Sequence, residues 1–280
     1  MLDLHTHSTI SDGTFTPTEL VNLAEKIKLK AVALTDHDSV GGVEEALHAS
    51  KNLAVKFVPG VEMSAKLNDK SMHIVGLCVN HRDPTLTATL KKVCEMRDDR
   101  NPRLSARLQE LGMEISLEEV AEVAGGKVIG RPHFAEVMIS KGFVKTPHEA
   151  FRKYLGNQGI AQTPKERLSP AEIIAAIRAA GGIPILAHPD QTQRTGDALD
   201  RLVANLKNMG LEGIETFYPS YDTSQTHEYS KLAKRYDLVR SGGSDFHGLH
   251  KPKIKLGRGF GSLYVPDDLL ELIEQRAGNL

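Results

Sequence analysis

Apolar and polar positions along this chain follow two periods, and the switches between them divide it into elements. Leu2 and Leu4 alternate with Asp3 and His5, the period-2 pattern of a strand buried on one face. After the Ser11-Asp12-Gly13 turn, Thr16 as N-cap, Pro17 at the first helical position and Glu19 at the third form a capping box with the favoured proline. Leu20, Leu23, Ala24 and Ile27 then recur at helical spacing. Apolar strands are expected at residues 31–34, 55–58 and 72–79, with a helix over 43–50 between the first two. This strand–helix alternation predicts parallel strands with helices outside.

From about residue 83 to 168 the rhythm turns helical. Residues 91–111 read as one or two helices, with Pro102 making a break or bend. Ser116 caps a segment that carries Glu119 at its third position and ends at Gly125-Gly126. Arg131-Pro132-His133 opens another helix and Thr146-Pro147-His148-Glu149 one more; only a brief strand is expected, at 127–129. The segment reads as a helical insertion that caps an α/β scaffold made of residues 1–82 and 169–280.

The α/β rhythm resumes at Ser169-Pro170-Ala171-Glu172, another proline-bearing helix start. A strand over 183–187 ends in His188-Pro189. A helix over 199–209 precedes Gly213-Ile214-Glu215-Thr216-Phe217-Tyr218, and a helix over 226–235 leads to Leu238-Val239-Arg240-Ser241 and Gly242-Gly243-Ser244-Asp245-Phe246-His247. An amphipathic helix over 267–275 closes the chain, giving about seven strand–helix units.

Composition narrows the picture. The 280 residues carry 35 Lys and Arg against 36 Asp and Glu, so no global basic field calls for long duplex nucleic acid. Two cysteines, Cys78 and Cys94, are too few for a disulfide scaffold and are not spaced as a zinc pair; Cys78 lies in an apolar run and reads as core. No apolar run approaches the ~18 residues a membrane helix needs. A first strand at residue 2 leaves no room for a secretory signal, so a cytoplasmic location is expected.

The histidines then change the picture. On a strand His5 and His7 point to the same side, where two imidazoles suit a divalent ion. His5, His7, His37, His188 and His247 fall at the carboxyl ends of predicted strands, where a parallel barrel places its chemistry. Asp12, Asp36, Glu62 and Asp245 share that rim. Imidazoles with carboxylates and no thiolate suit Mn²⁺, Fe²⁺ or Zn²⁺. The candidate ligands are His5, His7, Asp12, His37, Glu62, His73, His188, Asp245 and His247, too many for one ion, so two or three metals are expected, with Glu62 able to bridge a pair. Clustered divalent ions stabilise in-line displacement at phosphorus and supply hydroxide as nucleophile. Asp36 would point away from His37 and is expected to orient a neighbour. His73 begins its strand, so ligation, phosphate contact and core packing all stay open. His48, His81, His148, His227 and His250 read as surface residues.

A second constellation lies in the insertion: Arg97-Asp98-Asp99-Arg100-Asn101 and Gly130-Arg131-Pro132-His133. Arginine grips phosphate bidentately and a helix start offers free N–H groups to an anion. Folded over the rim, this segment could hold a phosphate remote from the scissile bond; alone it would read as a solvated charged face.

Asp3-Leu4-His5-Thr6-His7-Ser8, Thr35-Asp36-His37-Asp38, Gly60-Val61-Glu62, Ala187-His188-Pro189 and Gly243-Ser244-Asp245-Phe246-His247 resemble, in this order, the motifs of the PHP (polymerase and histidinol phosphatase) family. The resemblance implies a distorted (β/α)₇ TIM-like barrel with a trinuclear centre, manganese being the expected metal. It implies that His5, His7, Glu62 and Asp245 hold one metal and its bound hydroxide, with Glu62 bridging to the next. His188, perhaps joined by His73, would serve the second and Asp12, His37 and His247 the third. The insertion motifs look like a stand-alone subgroup of 3′,5′-nucleotide bisphosphate phosphatases and 5′→3′ exonucleases of short RNA. On that analogy Arg97, Arg100, Asn101, Arg131 and His133 would bind substrate phosphates, and the 3′-phosphate would leave to give the 5′-monophosphate. The alternatives are a histidinol-phosphate-type phosphatase, a C–N (amide) hydrolase of the related barrels, and a metal-stabilised scaffold. The flanking domains of polymerase-attached PHP modules are absent from this sequence, and nothing in it fixes an oligomeric state.

Overall fold

The computed structural model describes residues 1–68, 70–125, 129–156, 159–161 and 167–278, and within these the side chains of Lys70, Arg97 and Asp98 fall outside the description. The chain forms two compact units, Met1–Leu90 with Leu168–Leu280, and Lys91–Arg167.

The first unit is a barrel. Strands β1 (Leu2–Asp3), β2 (Ala31–Leu34), β3 (Lys56–Leu67), β4 (Lys70–Leu77), β5 (Ile183–Leu186), β6 (Gly213–Phe217) and β7 (Val239–Gly242) lie side by side in chain order. The ring closes where the chain after β1 meets the chain after β7: Thr6 bridges Phe246 in parallel, Leu4 N donates to Gly242 O at 3.1 Å and Asp245 N to His5 O at 2.9 Å. Gly243 makes this seam possible, since a Cβ there would lie 2.4 Å from His5 N.

Helices α1 (Pro17–Lys26), α2 (Val43–Ser50), α7 (Pro170–Ala179), α8 (Gly196–Asn208), α9 (Thr223–Arg235) and α10 (Asp268–Gly278) belong to this unit. On β2, Ala31 and Ala33 join one buried cluster with Leu2, Leu4, Val75, Ile185 and α10 residues Leu269 and Ile273, while Val32 and Leu34 join another with Leu20, Val21 and Val43. Both faces of the strand are therefore buried, which is why it reads as an unbroken apolar run. The same holds for β1: Leu2, Asp3, Leu4 and His5 are all buried, not on one face only as their alternation predicted.

The sheet departs from the expected parallel alternation. The predicted strand 55–58 continues through Glu62 to Leu67 and turns directly into β4, an antiparallel hairpin; β4 pairs antiparallel with β5 as well. A two-strand hairpin needs no crossover helix, so fewer strand–helix units exist than strands. Glu62 therefore sits within a strand instead of ending one.

In the helical part, α3 runs unbroken from Pro84 to Glu110 with Pro102 inside it, so the proline does not end the helix. α4 (Leu117–Ala124), α5 (Arg131–Ser140) and α6 (Pro147–Ala150) follow. The capping boxes at Ser116/Glu119, Thr16/Glu19 and Ser169/Glu172 form as the sequence predicts. The brief strand expected at 127–129 falls largely outside the described residues. Phe134, fully buried, anchors a core of Leu104, Leu108, Ile115, Val120 and Met138 within the Lys91–Arg167 unit. Phe134→Ala is expected to destabilise the protein by about 3–5 kcal/mol, the loss of a large buried side chain plus its cavity; denaturant melts with an unchanged slope would measure it. No helix among the described residues is long and apolar enough to cross a membrane.

Candidate metal centre

Chain ends on the barrel rim position the site. β1 stops at Asp3, and the next residues, still held by the seam, carry His5 and His7 inward with rings 5.3 Å apart. His37 follows β2 and bridges Glu62 of β3; His188 follows β5; Asp245 and His247 follow β7. His73 lies in β4, opposite Ser64 of β3.

Glu62 is the hub. Its Oε1 lies 2.8 Å from His73 Nδ1 and 2.9 Å from His188 Nε2. Its Oε2 lies 3.0 Å from His37 Nδ1 and 3.3 Å from both His5 Nε2 and His7 Nε2. Asp245 Oδ1 stands 3.2 Å from His7 Nε2, and Asp12 Oδ1 3.3 Å from His247 Nε2. All nine ligand candidates thus converge. Their donor atoms make four overlapping groups, each small enough to share an ion: His7, Asp12, His37 and His247; His5, His7 and Asp245; His5, Glu62 and His188; His37, Glu62 and His73.

The residues fit divalent ions on their own chemistry. Among the described residues His5 Nε2, both ring nitrogens of His7 and Glu62 Oε2 are buried without a hydrogen-bond partner, a costly arrangement unless a cation completes it. Burial alone would raise the Glu62 pKa, yet His37, His73 and His5 hold it well below the usual carboxylate range. Asp245, against the same burial penalty, is held well down by Lys251 and His247, and Asp12 by His37 and His247. His37 is in turn pushed up to about 9, because Glu62 and Asp12 outweigh its burial. The charges that protons supply to this cluster are the charges that metals would supply in their place.

Several supporting residues escaped the sequence reading. Glu215, buried in β6, sits 2.8 Å from His5 Nδ1 and accepts from His188 N at 2.7 Å. Tyr218 Oη donates to Asp245 Oδ2 at 2.8 Å, and Lys251 Nζ reaches the same oxygen at 2.7 Å, which leaves Oδ1 to face the histidines. Asp3 accepts from Ser244 Oγ and from Ser244 and Gly257 N, tying the two chain ends of the seam together. A carboxylate at the centre of the buried strand Gly-Ile-Glu-Thr-Phe was a legible signal for Glu215; these partners of Asp3 lie more than 240 residues away, and Tyr218 and Lys251 reach Asp245 only through the folding of the loops between them. Asp36 takes the orienting role expected of it, but on the loop: it accepts from Ser8 N, Ser8 Oγ and Ser11 Oγ at 2.6–2.8 Å. His188 and Asp245 both adopt positive φ, +26° and +54°, a strain typical of functional positions.

The arginines lie in the Lys91–Arg167 unit. Arg131 donates to Leu155 O at 2.6 Å and lies over the Phe151 ring; Asn101 donates to Ile129 O at 3.2 Å and accepts from Arg100 at 2.9 Å. Arg100 Nε is buried with no hydrogen-bond partner among the described residues. Burial, then the like charges of Arg100 and Arg167, push the Arg131 pKa down to about 10, so Arg167 acts on the arginines the sequence had singled out. His133 is buried, and its Nδ1 accepts from Gly130 N at 3.0 Å, so this nitrogen caps its own helix instead of facing an anion. The Arg97 side chain lies outside the described residues.

A seven-stranded barrel whose rim gathers six histidines and three carboxylates in a buried to half-buried cluster defines a metal-dependent hydrolase of the TIM-like barrels. The family model of the PHP domain matches residues 3–159, and the chain belongs to that family. It is 35% identical to a 5′-3′ exoribonuclease of Haemophilus influenzae over 88% of this chain and 89% of that one. It is 34% identical to a 3′,5′-nucleoside bisphosphate phosphatase of Chromobacterium violaceum over 88% and 87%. A crystal structure from Bifidobacterium adolescentis, assigned to the metal-dependent phosphoesterases, superposes with a TM-score of 0.86 at 31% identity over 98% of this chain and 96% of that one.

Proposed function

We propose that this protein is a metal-dependent phosphoesterase that removes the 3′-phosphate of nucleoside 3′,5′-bisphosphates, leaving the 5′-monophosphate. One observation carries the reading: a buried carboxylate, Glu62, stands within 3.3 Å of nitrogens from five histidines, with buried donor atoms left unsatisfied around it. The nine ligand candidates would hold three divalent ions, manganese being the expected metal and iron or zinc the alternatives that imidazole and carboxylate without thiolate also suit. Bound there, such ions would polarise the phosphoryl oxygens and activate a water for in-line attack.

The chain's own residues do the rest. Glu62 and Asp245 balance the positive charge of the centre and aim the histidines at it. Tyr218 and Lys251 hold the outer oxygen of Asp245, which keeps its inner oxygen directed inward. Asp36 fixes the Ser8–Ser11 loop that carries Asp12. Arg100, Arg131 and Arg167 have the chemistry to receive the substrate's remaining phosphate, with Asn101 orienting Arg100. Arg97 and His133 complete the expected set, His133 through the helix start it caps.

The test is phosphate release with Mn²⁺ from adenosine 3′,5′-bisphosphate, beside 5′-phosphorylated short RNA and histidinol phosphate. Release of one phosphate with AMP as the organic product supports the reading; turnover of histidinol phosphate alone sinks it. The exoribonuclease relative favours a second activity, in which the arginines receive an RNA 5′-phosphate and mononucleotides are released from that end. Arg131→Ala is expected to raise KM for the bisphosphate about 10- to 100-fold, as befits a charge-assisted contact worth about 1.5–3 kcal/mol. Steady-state kinetics on the bisphosphate and on a monophosphate control would show whether the loss tracks the second phosphate.

A further inference from the structure

Glu215 belongs to none of the four groups of ligand candidates, yet it stands directly behind one of them. It is 1% exposed, and both of its oxygens are spent. Oε1 lies 2.8 Å from His5 Nδ1, and Oε2 accepts the backbone N–H of His188 at 2.7 Å. A bond at Nδ1 sets the His5 ring so that Nε2 faces Glu62 Oε2, 3.3 Å away. The bond at His188 pins a residue whose φ of +26° is unfavourable for a side chain. Its ring can then place Nε2 2.9 Å from Glu62 Oε1. The sheet itself breaks register between Glu215 and Phe217, at the point where this carboxylate enters the barrel.

We propose that Glu215 is the shared positioning residue of the His5–Glu62–His188 group, and that one of the bound ions depends on it while the ion at His7, Asp12, His37 and His247 does not. The inference rests on the metal-dependent reading above. One carboxylate sets a ring and a backbone at once, so glutamine cannot replace it. The His188 N–H is always a donor, so the amide oxygen of Glu215→Gln must face it. The amide NH₂ then faces His5 Nδ1, which must become the acceptor, and the proton moves to Nε2, where it blocks the nitrogen aimed at the centre.

Titration of metal-free protein with Mn²⁺, counting ions per chain and their affinities, tests this. E215Q is expected to bind one ion about 10- to 100-fold more weakly than the wild type, the usual cost of a lost outer partner, and to keep the others. The pairing of variants separates positioning from general damage. Adding E215Q to His188→Gln should weaken no further ion, whereas adding it to His247→Gln should weaken one more. Ion count and affinities equal to wild type in E215Q, or uniform weakening of every ion, would overturn the inference. A wild type that binds no ion would overturn the metal-dependent reading and this inference with it. Should E215Q fail to fold, nitrogen NMR of the zinc-loaded wild type decides: His5 protonated at Nδ1 and ligated through Nε2 supports the role, and ligation through Nδ1 refutes it.

Discussion

Glu62→Gln is expected to lower turnover by ~10³-fold or more, the largest effect of any single substitution in this protein, because it removes charge compensation worth several kcal/mol from the reacting centre. Glutamine keeps the shape but is neutral, and its NH₂ must face imidazole nitrogens that now meet a carboxylate on both sides. Ions should be lost along with activity, so metal content measured beside kcat checks the cause. Asp245→Asn is expected to follow it with a smaller loss, since Tyr218 and Lys251 still reach the retained oxygen position. Full metal content with unchanged turnover in either variant would remove the carboxylates from the mechanism.

Stripping the metal with a chelator comes second. Turnover should fall to background and return with Mn²⁺, and the melting temperature should drop. Each ion site held at about 100 times its dissociation constant contributes about 2.7 kcal/mol to the folded state, roughly 5–10 °C for a chain of this size. Scanning calorimetry of chelated and reloaded protein measures it. The pH dependence has a definite sign. Ions compete with protons on the histidines whose pKa the carboxylates raise, His5, His7 and His37, the last to about 9. Apparent metal affinity should therefore rise with pH up to about 9, with protons released on binding. An affinity flat from pH 6 to 8.5 would show that these imidazoles are not displaced from protons by the metal.

The structure explains why the candidate ligands could be picked out of the sequence at all. Ligands on a barrel rim must follow strands, and short apolar runs followed by His or Asp are visible as strings: Ala-Val-Ala-Leu-Thr-Asp-His, Ile-Leu-Ala-His-Pro, Gly-Ser-Asp-Phe-His. Helix starts were equally legible, since a capping box is a contact between residues three apart and owes nothing to the rest of the fold. The antiparallel hairpin was not. The Pro59-Gly60 pair marks a turn by pattern but lies inside the strand, so the strand that ends at Glu62 by pattern runs on to Leu67 in fact. That extension is what sets His73 opposite Ser64 and brings its ring onto Glu62.

Taken alone, the sequence determined the helix caps, the apolar strands, the nine ligand candidates and the chemistry that histidine and carboxylate without thiolate allow. All of these depend on residue type and on spacings of a few residues. Tertiary structure alone decided that the strands close into a ring through Thr6 and Phe246, that β4 runs against its neighbours, and that Glu62 is the hub. It also decided that Glu215, Tyr218 and Lys251 stand behind the candidate ligands His5 and Asp245. Their roles come from partners brought together across as many as 210 positions of chain, as with His5 and Glu215, and no local pattern encodes a contact of that separation.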